Sequence, residues 1–129
     1  MKKLHKIAKL VGKIYPDLSQ LVKYHGFITK RVRGEHSAAN KLYIHEGKKI
    51  VVKTGYIVGR RPKYAIPTVM VRKEFEIHNG CTPIVVQPLA SLKNRELARD
   101  RLHDKYKSCE STRLSNIGWY KKKPVAIDW

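Results

Sequence analysis

The chain holds 129 residues, 42% of them apolar, with 28 Lys and Arg against 10 Asp and Glu, a formal net charge of +18. That length suits one domain, and the apolar share is enough to bury a core, which excludes global disorder. No apolar run approaches the ~18 residues of a membrane-spanning helix, and two cysteines, Cys81 and Cys109, are too few for a disulfide scaffold.

The charge implies a polyanion. Eighteen uncompensated positive charges repel one another in a small globule. Solubility needs only about 2–8 net charges in a small domain, whereas nucleic-acid phosphates neutralise the excess and release counterions. The excess is uneven. Residues 1–33 carry nine basic residues and one acid, Asp17, a net of +8.

In chain order, residues 1–26 read as a helical arm. Leu4, Ile7, Ala8, Val11, Ile14 and Tyr15 recur at helical spacing, while Lys2, Lys6, Lys9 and Lys13 lie mostly off that stripe. Gly12 weakens the helix, and Pro16 ends it. Asp17 is placed to cap a second helix, Leu18 to Tyr24, with Gly26 after its end. The first helix is expected to pack on the core with its lysines toward phosphate. A membrane-surface helix and a cleaved presequence are the alternatives; the absence of Arg and Ser before residue 19 argues against the second.

Residues 27–87 read as a β region. Phe27 to Arg33, Lys41 to His45, Ile50 to Val52, Tyr64 to Phe75 and Pro83 to Val86 are the expected strands, with a polar loop over residues 34–40. Glu46-Gly47-Lys48 reads as a turn, Pro67 marks an edge or bulge, and Asn79-Gly80 is a hairpin signal. Tight turns between short strands predict an antiparallel sheet or small barrel. Residues 88–107 predict a helix, with Pro88 in its first turn and Leu89, Leu92, Leu97, Leu102 and Tyr106 on its apolar face. Glu96 with Arg99, and Asp100 with His103, are spaced to support it. Residues 108–129 read as a basic and aromatic tail. The fold class is therefore α+β: an antiparallel sheet or barrel between an N-terminal basic amphipathic helix and a C-terminal helix, all in one domain.

Residues 47–61 run as a basic strand, Gly55 and Gly59 four apart, then Arg60-Arg61. This resembles the KOW element of some ribosomal proteins and transcription elongation factors over about 15 residues. The resemblance implies a strand entering a glycine-bearing turn in a small barrel that contacts RNA or polymerase. Tyr56, Ile57 and Val58 replace the usual polar loop, and a glycine-punctuated hairpin with a basic face is the preferred reading.

The phosphate-contacting residues expected are Lys2, Lys3, Lys6, Lys9, Lys13, Lys30, Arg31, Arg33, Arg60, Arg61, Lys63, Lys121, Lys122 and Lys123. Tyr56, Trp119 and Tyr120 adjoin dense basic clusters and are expected to stack on bases. The resulting expectation is a non-enzymatic nucleic-acid-binding protein, RNA or a ribonucleoprotein ahead of DNA, with a polymerase assembly as a further partner. No catalytic residue, metal or cofactor is expected. The rival reading is a small metal-dependent nuclease built on Glu35-His36, His45-Glu46 and Glu76-x-His78. Another is a small viral-type accessory protein acting on a nucleic-acid enzyme. His78 and Cys81, with His103 and Cys109, are spaced for zinc but lack a paired CxxC. Two unpaired cysteines fit a reducing, intracellular compartment, cytoplasmic or an organellar matrix.

Overall fold

Leu4, Ile7 and Val11 sit one helical turn apart and are all buried, which fixes the inner face of helix α1 (Lys2–Ile14). The computed structural model describes residues 2–31, 41–54, 61–71, 84–106 and 114–127. They fall into two compact units, one of Met1–Tyr56 with Pro67–Leu89, the other of Ile57–Ile66 with Ala90–Trp129.

In the first unit, α1 packs on strands β4 (Val69–Val71) and β5 (Ile84–Pro88). Tyr15, which the periodicity put on the buried stripe, is instead 43% exposed just past the helix end. Helix α2 (Ser19–Tyr24) buries Leu21. The Asp17 carboxylate sits at the start of α2 and accepts from the side chains of Ser19 and Gln20; those bonds, with the Ser19 backbone N–H adding to them, hold its pKa below the usual aspartate value. Gly26 takes φ +76° after the helix, a conformation glycine adopts freely, and Phe27 then donates back to the Leu21 carbonyl.

Five strands form one antiparallel sheet in the order β1-β2-β3-β5-β4, with β1 as Ile28–Arg31, β2 as Lys41–His45 and β3 as Ile50–Thr54. It is an open sheet with β1 and β4 at its edges, so the expected antiparallel sheet is present and the barrel alternative is not. Within the described part of the expected Tyr64–Phe75 run, residues 64–71, β4 covers Val69–Val71. Ile50 and Val52 join Tyr43, Val71, Ile84 and Val86 beneath α1. Val51, Val85 and Gln87, on the opposite face of the central strands, are buried as well. Burial on both faces explains why β3 and β5 read as continuous β-branched runs rather than alternating ones. The buried Gln87 donates its amide to the Thr68 hydroxyl at 3.0 Å, which offsets the cost of placing it there.

In the second unit, helix α3 (Arg95–Lys105) packs on a hairpin of β6 (Ile117–Tyr120) and β7 (Lys123–Ala126). Its core is Ala98, Leu102 and Ile117, with Tyr64, Tyr106 and Trp119 around them. Three expectations need correction. The helix starts at Arg95, because Pro88 closes β5 opposite Ile50. Of its expected apolar face Leu102 is buried and Tyr106 packs beside it, but Leu92 and Leu97 are exposed and Ala98 takes the inner position. Arg99 reaches the adjacent Asp100 at 3.9 Å rather than Glu96. The tail contains the β6–β7 hairpin, and Gly118 lets it lie close: a Cβ there would sit 3.0 Å from the Ser91 carbonyl oxygen.

Candidate nucleic-acid interface

Lys2, Lys6, Lys9 and Lys13 follow one another at steps of four, three and four, so they share the α1 face opposite Leu4, Ile7 and Val11. All four are exposed. At 1.5 Å rise per residue the stripe runs roughly 16 Å. The helix contains no acid to offset it, although its dipole would favour one in the first turn.

The β2–β3 turn brings more charge to the start of that helix. Lys3 Nζ donates to the Lys48 carbonyl at 3.4 Å. Between them lies a cleft of about 470 Å³, lined by Lys2, Lys3, Lys6, Ile7 and Lys48. Lys49, next in the turn, is left-handed at φ 53°, which costs a non-glycine residue roughly 1–2 kcal/mol. Lys48 and Lys49 were not among the residues singled out from sequence. The signal was the pair of lysines after Gly47, but nothing local shows that a turn at residue 48 meets a helix start at residue 2.

In the second unit Lys121 and Lys122 form the two-residue turn between Tyr120 and Lys123, both at positive φ, 49° and 64°. Such hairpin turns favour Asn-Gly for this reason. Lys121, Lys122 and Lys123 are exposed at the tip, and the Lys121 ammonium stands 5.4 Å from the Tyr120 ring. Counting Lys49, three of the four non-glycine residues at positive φ among the described residues are lysines in hairpin turns, the fourth being Asn94. Backbone strain of this sort concentrates at functional positions.

Trp119 is tied into the second unit. Its indole N–H donates to the Asn94 carbonyl at 3.2 Å, and the Arg101 guanidinium lies 5.4 Å from its ring centre. Tyr120 is half-buried, while Arg61, Lys63 and Lys30 are exposed, Lys30 on the edge strand β1. Arg31 pairs with Lys41 through the backbone. Arg33, Tyr56 and Arg60 lie outside the described residues, as do Gly55 and Gly59 of the KOW-like segment and Asn79-Gly80.

Of the three His and Glu pairs, only His45-Glu46 is described. His45 Nδ1 accepts from the Lys48 backbone N–H at 3.0 Å, and the ring packs edge-on against Phe27. That nitrogen is occupied in holding the turn. Among the described residues no three His, Cys, Asp or Glu side chains come together as a metal site. His78, Cys81 and Cys109 lie outside them. No described helix is long and apolar enough to cross a membrane. No family model, no curated protein and no solved structure matches the chain.

Proposed function

We propose that this chain is a non-enzymatic nucleic-acid-binding protein that grips the phosphate backbone, with RNA in a ribonucleoprotein or polymerase assembly preferred over DNA. The observation that carries this reading is the α1 lysine stripe, backed by a buried apolar stripe and free of acids. The core holds the helix, so the charges are presented at little cost in order. The lysines of the hairpin turns add charge on both units, and this dispersed charge suits an irregular RNA surface better than a single duplex groove.

The test is an anisotropy titration with RNA and duplex DNA across salt concentrations. If about 6–10 phosphates are contacted, affinity falls about 10³–10⁵-fold between 50 and 200 mM salt. An affinity indifferent to salt sinks the reading.

A further inference from the structure

The cleft at the start of α1 is a shallow, half-open depression bounded by two elements. Its lining is Ile7 and four lysines drawn from two elements, α1 and the β2–β3 turn. Its walls are mainly carbon, the methylene stems of the lysines over a floor where the edge of buried Ile7 shows, with ammonium groups to end them. At about 470 Å³ it lies within the ~300–1,000 Å³ of small-ligand sites. Carbon walls with cationic ends suit a ligand having a flat apolar part and an anionic part. A nucleotide has both. In a duplex the bases are stacked inward and only the phosphate ridge is offered, whereas a single strand can turn a base out into a pocket.

We propose, building on the nucleic-acid reading, that this cleft holds one nucleotide of a single-stranded nucleic acid. The base lies along the lysine stems, and the flanking phosphates meet Lys2, Lys6 and Lys48. Lys3 is the strut: its bond to the Lys48 carbonyl joins the two walls. The lining side chains are donors or apolar groups, and the Lys48 carbonyl already accepts from Lys3. The lining side chains therefore offer donors and no acceptor, which suits bases rich in carbonyl oxygens such as thymine and uracil.

The experiment compares the full chain with the triple variant Lys2→Gln, Lys6→Gln, Lys48→Gln and with a control triple, Lys23→Gln, Lys41→Gln, Lys93→Gln. Each removes three charges, and circular dichroism checks the fold. The probes are labelled oligothymidylate, oligouridylate and a duplex of equal length, titrated against salt. Each single-strand phosphate contact is worth about 0.7 in the slope of log affinity against log salt, so the cleft triple flattens that slope by about 2. The control triple leaves the slope in place. Lys2 and Lys6 also belong to the phosphate-gripping stripe, so the duplex comparison rests on Lys48→Gln, off that stripe, which leaves the duplex slope unchanged. Lys48→Gln alone, at a turn outside α1, flattens the slope by about 0.7 and decides the matter if the triple melts early. Equal slope changes with both triples overturn the cleft while leaving the nucleic-acid reading intact. A duplex slope that Lys48→Gln flattens as much as the single-strand slope overturns the single-strand assignment. Binding to phosphatidylglycerol vesicles that the cleft triple abolishes, with oligonucleotide slopes unchanged, gives the cleft to lipid instead. A wild-type chain that binds no oligonucleotide overturns both readings at once.

Discussion

His45 accepts a hydrogen bond at Nδ1 from the backbone N–H of Lys48, 3.0 Å away, across the turn that joins β2 to β3. In the neutral ring the proton therefore sits on Nε2. The same imidazole meets Phe27 edge-on, with ring centres 5.2 Å apart. One side chain thus links the core to the turn that carries Lys48. His45→Ala removes the bond and the ring pair together and is expected to cost about 1–3 kcal/mol, measured by denaturant unfolding. The variant should also lose single-strand affinity, because Lys48 is no longer held. Unchanged stability would mean that the turn keeps its shape without the ring.

Two glycines predict opposite outcomes. Gly12 lies inside α1, and a Cβ there would meet only Val71 Cγ1, at an ordinary 4.0 Å. Gly12→Ala should stabilise the protein by about 1 kcal/mol. Gly118→Ala places its methyl 3.0 Å from the Ser91 carbonyl oxygen and 3.2 Å from Ala90 Cβ, and should cost about 1–3 kcal/mol. Thermal melts of the two variants decide both. If Gly118→Ala melts no lower than wild type, the close approach of β6 to Ser91 is wrong.

The Lys121-Lys122 turn sets stability against charge. Replacing it with Asn-Gly relieves two left-handed lysines and should stabilise the second unit by about 1–2 kcal/mol. The same exchange removes two positive charges, so nucleic-acid affinity should fall while the melting temperature rises. A variant that melts higher and binds unchanged would remove this tip from the interface.

Alkaline stability depends on Tyr43. Burial pushes its phenol pKa above the usual tyrosine value. Above pH ~10 the unfolded chain releases this proton while the folded chain keeps it, so the folded state binds more protons and stability falls as pH rises. The contribution is complete below the unfolded pKa and is lost on rising toward the folded one. Tyr43→Phe should flatten the alkaline limb relative to wild type, read from unfolding free energies on either side of pH ~10. A limb of equal steepness in the variant would assign it to other groups.

The α1 faces were legible because one helix carries both stripes at its own period, Leu4-Ile7-Val11 inside and Lys2-Lys6-Lys9-Lys13 outside. β3 was legible for a similar reason, since Ile50-Val51-Val52 needs burial on both sides. α3 was legible in part, through Leu102 and Tyr106, but not through Ala98. Leu97 is the larger residue, yet the close approach to Ile117 is made by Ala98 and Leu102. The β6–β7 hairpin went unseen because its turn is Lys-Lys, where local propensity asks for Asn-Gly. The cleft was beyond any local pattern. It depends on a contact between Lys3 and Lys48, which the sheet register and α1 packing bring together.

The turn at the hairpin tip also bears on proteolysis. Lys121, Lys122 and Lys123 are exposed consecutive lysines, the composition that trypsin cuts most readily in a loop tip. A protease binds its substrate in an extended form, however, and two residues at φ 49° and 64° cannot be extended while Tyr120 stays paired with Lys123. Cleavage after Lys121 must wait for the hairpin to open, so its rate under limited digestion measures the local opening of β6 from β7. A bound polyanion that favours the closed tip would lengthen the life of that peptide bond, so the same lysines act as a clock for occupancy.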